Sequence, residues 1–173
     1  MNILDIPVRT IDGHDATLRE HEGKAMLIVN VASRCGLTPQ YAGLQTLFDT
    51  YSTRGLTVLG FPCNQFLEEE PGTEAEIKTF CESSFGVTFP MYAKIEVNGE
   101  NRHPLYKQLT TMLTSKGDAD IRWNFEKFFV SPAGEITRFA PQFEPTDERL
   151  IAAIEAALPA RSVALDDTAD ATR

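Results

Sequence analysis

The chain has 173 residues, 42% of them apolar, and a formal net charge of −9, which is enough for one domain with a core that needs no disulfide scaffold. The acidic balance argues against a nucleic acid or an anionic membrane surface as partner, since both demand a basic patch. No apolar run approaches the ~20 residues that span a bilayer, and the opening MNILDIP carries neither the basic nor the apolar stretch of a secretion signal, so a cytoplasmic protein without a membrane anchor is expected.

Residues 8–18 are expected to form an N-terminal β-hairpin that turns at Asp12-Gly13. Residues 25–31 (AMLIVNV) are a continuous apolar run, the pattern of a central strand buried on both faces. In the segment that follows, Thr38 suits a helix N-cap and Pro39 the first helical position. Tyr41, Leu44, Leu47, Phe48 and Tyr51 then recur at helical spacing. Residues 56–61 (LTVLGF) read as a second buried strand, and residues 62–72 as a long turn-rich segment. Thr73-Glu-Ala-Glu76 is a capping box that opens a helix to about Ser84, with Ile77, Phe80 and Cys81 as its inward stripe.

The connection from His103 to Trp123 reads as short and polar. Residues 125–130 and 135–139 look like a hairpin closed at Pro132-Ala-Gly134. Thr146-Asp-Glu starts a last helix with Leu150, Ile151, Ile154 and Leu158 on its apolar face. Residues 1–160 are thus expected to form one domain, and the small, polar stretch 161–173 a disordered tail. This order fits an α/β, thioredoxin-like fold: a central mixed sheet flanked by helices, with an N-terminal β-hairpin.

The three cysteines, Cys35, Cys63 and Cys81, are too few and too odd in number for a disulfide framework. None belongs to a Cys-x-x-Cys pair, and no histidine sits at ligand spacing from one, so neither a metal nor a cofactor is expected. An ordinary intracellular cysteine packs as a small hydrophobe. The position of Cys35 is not ordinary: it lies at the carboxyl end of a buried strand and just before a helix start, where open α/β sheets place their crevices. Helix N-terminal N–H groups and their partial positive charge stabilise an anion such as a thiolate, and the adjacent Arg34 can assist. Cys35-Gly-Leu-Thr38 lacks the second thiol of a dithiol oxidoreductase. A single activated thiol suits peroxide reduction instead, in which the sulfur becomes a sulfenic acid that another thiol must reduce.

Three stretches carry a family resemblance: Asn30-Val-Ala-Ser-x-Cys35-Gly, Leu59-Gly-Phe-Pro-Cys-Asn-Gln-Phe66 and Trp123-Asn-Phe-Glu-Lys-Phe128. Together with Lys94-Ile-Glu-Val-Asn-Gly99 and His103-Pro-Leu-Tyr106 they resemble the signature blocks of the glutathione peroxidase family, in order, from Ile6 to Leu158. The resemblance implies a tetrad of Cys (or selenocysteine), Gln, Trp and Asn, in which Cys35, Trp123 and Asn124 match three members. Glu69 stands where the family has its Gln. An ionised Glu69 donates no hydrogen bond and disfavours a nearby thiolate, whereas a protonated one can donate; the other options are that Gln65 leans in, or that Glu69 faces solvent.

Cys81, in Lys78-Thr-Phe-Cys-Glu, is similar to the segment that carries the resolving cysteine in the thioredoxin-dependent branch of the family, and Cys63 is read as structural. The implied enzyme reduces hydrogen peroxide and organic hydroperoxides through a Cys35 sulfenic acid and a Cys35–Cys81 disulfide, with thioredoxin, or alternatively glutathione, as reductant. The connection before Trp123 lacks the longer insert of tetrameric members, which implies a monomer. A peroxide sensor that passes its disulfide to a partner uses the same chemistry and differs in turnover. A cysteine hydrolase would have only His103 as a base, and a copper carrier would lack its second cysteine and ligating histidine.

Overall fold

A computed structural model describes residues 2–113 and 120–159. The polar stretch 114–119 and the tail 161–173 lie outside the described residues. Two short strands, β1 (Val8–Arg9) and β2 (Asp15–Ala16), pair antiparallel, and Gly13 supplies the positive φ of 91° that their turn requires. The central strand β3 (Ala25–Val31) is buried along its whole length. It pairs parallel with β4 (Leu56–Pro62) and antiparallel with β5 (Lys127–Val130), which turns back into β6 (Ile136–Phe139). The sheet order is β4-β3-β5-β6. Helices α1 (Gln40–Tyr51), α2 (Glu74–Phe85), α3 (Pro104–Leu113) and α4 (Glu148–Ala157) complete the domain.

Alternation along the strands divides the apolar residues between two cores. Leu27, Val29, Val58 and Phe129 meet Tyr41, Leu44 and Leu47 of α1 and Leu150 and Ile154 of α4. Ile28, Leu59, Phe61 and Phe128 meet Leu105, Tyr106 and Leu109 of α3 and residues near the N-terminus. This is the mixed, thioredoxin-like sheet flanked by helices that the pattern implies, with its N-terminal hairpin.

Three details differ from the sequence expectation. Helix α1 begins at Gln40, and Thr38 does not cap it. The Thr38 hydroxyl instead accepts the Cys35 N–H (2.9 Å) and donates to the Ala32 carbonyl (2.9 Å), which closes a turn around the cysteine. The 103–123 connection is not merely a short polar link, because it contains α3. Pro104 suits the first position of that helix, His103 Nδ1 accepts the Leu105 N–H at 3.0 Å, and Leu105, Tyr106 and Leu109 are buried on one face. Strand β5 starts at Lys127 rather than Phe125, because Phe125 has a φ of 67° and cannot continue an extended chain. The capping box at Thr73 and Glu76 is formed as expected.

Candidate active site

Strand β3 delivers Cys35 to the carboxyl edge of the sheet, where the chain leaves β3 and tightens into the turn before α1. Only 8% of Cys35 is exposed. Two donors converge on its sulfur: the Leu37 N–H at 3.2 Å and the Trp123 indole Nε1 at 3.3 Å. Both N–H groups are thus aimed at the atom from which a sulfur nucleophile would attack.

Trp123 reaches Cys35 because the residues after it are tied to β3. Asn30 Nδ2 donates to the Trp123 carbonyl at 3.0 Å, and the Phe125 N–H donates to the Asn30 carbonyl at 2.6 Å. Phe66 packs on the indole with ring centroids 5.6 Å apart. Asn124 is fully buried, and among the described residues neither its Oδ1 nor its Nδ2 has a hydrogen-bond partner. A buried amide left unsatisfied costs about 1–3 kcal/mol, a cost that a hydrogen-bonding group entering beside it would relieve.

The segment 64–70 docks beside the cysteine. Leu67 and Glu68 both adopt a positive φ of 53°, which swings the following glutamates back towards the Cys35 turn. The Glu69 carbonyl accepts the Arg34 N–H at 3.0 Å, while the Glu69 side chain is half-buried and makes no hydrogen bond or ion pair among the described residues. Gln65 does not lean in. It is exposed, and its amide is committed to residues 96–98, accepting the Val97 N–H at 2.7 Å and donating to the Asn98 carbonyl at 2.8 Å. Cys63 is fully buried and donates to Gln65 Oε1 at 3.5 Å, consistent with a structural part.

Glu70 is the residue that sequence reasoning passed over. In a run of three glutamates it looks like one more solvated charge, yet it is 1% exposed. Its Oε1 accepts the Ser33 N–H at 3.1 Å, and its own N–H donates to Asn64 Oδ1 at 2.9 Å. Burial pushes its carboxyl up to about 7, against the lowering effect of its bonds to Ser33 and the charges of Lys94 and Arg34. The Pro71-Gly72 that follows was the available signal, since it turns the chain inward directly after the run.

Cys81 lies in the last turns of α2 and is 1% exposed. No disulfide links it to Cys35; all three cysteines are free thiols. Burial first, then the charges of Glu70 and Glu82, push the Cys81 thiol up to about 11, while the Tyr41 hydroxyl beside it acts in the opposite direction. Tyr41 is fully buried. Cys35 and Cys81 belong to one apolar core, with Tyr41 between α1 and the ring of Phe80 on α2 (centroids 6.5 Å apart). The Cys81 carbonyl also accepts the Val87 N–H at 3.2 Å, at the end of α2 where Gly86 (φ 60°) caps it. Among the described residues no cluster of His, Cys, Asp or Glu could hold a metal ion, and no helix is long and apolar enough to cross a membrane.

The family model described as glutathione peroxidase matches residues 3–110. The chain is 49% identical to a thioredoxin/glutathione peroxidase of Escherichia coli, BtuE, over 91% of this chain and 97% of that protein. It is also 49% identical to a hydroperoxy fatty acid reductase, gpx1, of Synechocystis, over 84% of this chain and 90% of the other. Among solved structures it is similar to GPX1 of T. cruzi, with a TM-score of 0.70 and 35% identity, covering 89% of this chain and 97% of that one.

Proposed function

Because the chain belongs to the glutathione peroxidase family, and is a thiol peroxidase that reduces hydroperoxides, we propose that Cys35 is its peroxide-reducing nucleophile. The observation that carries this reading is the convergence of the Leu37 and Trp123 N–H groups on the Cys35 sulfur. The Cys35 thiolate attacks one peroxide oxygen, the O–O bond breaks, and the departing alkoxide takes a proton to leave as an alcohol, or as water from hydrogen peroxide. Cys35 becomes a sulfenic acid. Trp123 steadies the thiolate, and the unpartnered Asn124 amide is the donor for the departing oxygen. Glu69, whose carbonyl accepts the Arg34 N–H, stands in the sequence where the family has its Gln.

Cys81 then condenses with the sulfenic acid to give a Cys35–Cys81 disulfide and one water, and thioredoxin returns both thiols. Support for this step is the placement of both sulfurs in one core. A disulfide needs Cα atoms within roughly 7 Å, so the C-terminal turns of α2 open if the resting separation is larger. The names of the relatives bear on reductant and substrate: one is called a thioredoxin/glutathione peroxidase and another a hydroperoxy fatty acid reductase. A cytoplasmic monomer belongs to the same reading.

The test is the variant Cys35→Ser, assayed for peroxide consumption with thioredoxin and with glutathione side by side. Turnover should disappear with both reductants, since a serine hydroxyl is not appreciably ionised at neutral pH. Retained turnover would remove Cys35 from the role. In the wild-type enzyme, faster turnover with glutathione would overturn the choice of thioredoxin.

A further inference from the structure

Lys127 is completely buried in β5 and makes no ion pair among the described residues. Its Nζ donates instead to two main-chain carbonyls, those of Phe125 at 2.6 Å and Pro141 at 3.1 Å. Burial of the amine pushes it down to about 7, against the opposing charges of Glu144 and Glu126. Burying a lysine this way is costly, and sheet formation does not require it, because Phe128 and Phe129 beside it fill their β5 positions with apolar side chains. The two carbonyls it holds explain the placement.

Phe125 has a φ of 67°, a conformation that a bulky side chain keeps only when its surroundings hold it. Its N–H is fixed by the Asn30 carbonyl, and its carbonyl by Lys127. The Pro141 carbonyl is shared with Gln40 Nε2 at 2.9 Å, and Gln40 is the first residue of α1, the helix that follows the Cys35 turn. One amine therefore joins the turn bearing Trp123 and Asn124 to the start of the helix behind Cys35.

We propose that Lys127 is a positioning residue for peroxide reduction, holding the strained Phe125 so that the Trp123 indole and the Asn124 amide face the Cys35 sulfur. The proposal rests on the reading that Trp123 assists Cys35, and its test separates the two. Trp123 is the only tryptophan in the chain, so its fluorescence reports the turn directly. In the wild-type protein the emission should change when Cys35 is oxidised by stoichiometric hydrogen peroxide, because the N–H···S contact is altered. Lys127→Met keeps the length of the side chain and removes the donors. The emission change should fall by half or more, and the second-order rate of Cys35 oxidation should drop by about tenfold, which corresponds to about 1.4 kcal/mol in the barrier. Lys127→Gln, which keeps donors on a shorter stem, should recover part of both, and it carries the comparison alone if the Met variant does not fold.

A purely structural lysine would lower the unfolding temperature and leave emission change and rate within twofold of wild type in the folded variant. That result would overturn the proposal. Loss of the emission change with an unaltered rate would show that Lys127 places Trp123 but would overturn the reading of Trp123 as a partner of the thiol, and with it a role for Lys127 in peroxide reduction.

Discussion

Trp123 Nε1 donates a hydrogen bond to Cys35 Sγ across 3.3 Å, although the two residues are 88 positions apart in the chain. The contact is built from both sides of β3, whose end positions Cys35 and whose Asn30 holds the Trp123 carbonyl. A hydrogen bond to a charged group is worth about 1.5–3 kcal/mol. Trp123→Phe keeps the aromatic packing on Phe66 and removes the donor. The second-order rate of Cys35 oxidation at pH 7 is expected to fall by about ten- to a hundredfold, because each 1.4 kcal/mol is worth a factor of ten. Stopped-flow oxidation with hydrogen peroxide measures this, and an unchanged rate would mean the contact is packing alone.

Cys81→Ser should separate peroxide reduction from resolution. After one equivalent of peroxide, intact mass should show wild-type enzyme two mass units lighter, through a disulfide, and the variant one oxygen heavier, through a sulfenic acid. Thioredoxin-supported turnover should stop after about one peroxide per variant enzyme. The Cys81 thiol is pushed up to about 11 by burial, so little of it is ionised at neutral pH in the resting fold. Disulfide formation is therefore expected to be slower than peroxide attack and to quicken as α2 loosens in low denaturant. If wild type gains oxygen and forms no disulfide, Cys81 does not resolve.

Much of this arrangement is legible in the amino-acid order, and the rest is hidden for definite reasons. The apolar runs 25–31 and 56–61 announce buried strands because alternation vanishes when both faces are covered. The capping box at Thr73 is local chemistry, and so is readable. Thr38 misleads because its hydroxyl has a competing local use, closing the Cys35 turn. Helix α3 is masked by the polar residues that follow it, and its His103 cap is not among the usual capping residues. Glu70 and Lys127 look like solvated charges because burial of an ionisable group is decided by long-range packing, which no local pattern records. The contact of Phe66 with Trp123 is equally non-local.

Glu69→Gln tests the place where the chain departs from its family's tetrad. The Glu69 main chain is docked on Arg34 next to the nucleophile, and its half-buried carboxylate has no partner among the described residues to neutralise it. Removing the charge and adding an amide donor should raise the rate of Cys35 oxidation at pH 7. The gain should not exceed about tenfold, since a partly solvated charge acts at the level of about 1 kcal/mol. Rate profiles against pH that superimpose for the two proteins would take Glu69 off the list of functional residues.

Glu70→Gln should change the pH dependence of stability in a direction fixed by linkage. Burial raises the Glu70 carboxyl from its ordinary 4.5 to about 7 in the folded protein. Between those values the folded state holds a proton that the unfolded chain has released, so the stability contributed by this group is greatest below about 4.5 and is lost as pH rises through 7. Glutamine keeps an oxygen to accept the Ser33 N–H and never ionises. Its new N–H₂ has the Ser33 hydroxyl, which interacts with the carboxyl in the wild-type protein, nearby as an acceptor. The variant should therefore gain on wild type as pH rises from 5 to 8, by about 2 kcal/mol in unfolding free energy. Urea unfolding of both proteins at the two pH values gives that difference, and groups other than Glu70 cancel in it. A difference that stays constant between pH 5 and pH 8 would show that the Glu70 carboxylate is solvated or paired in the folded protein.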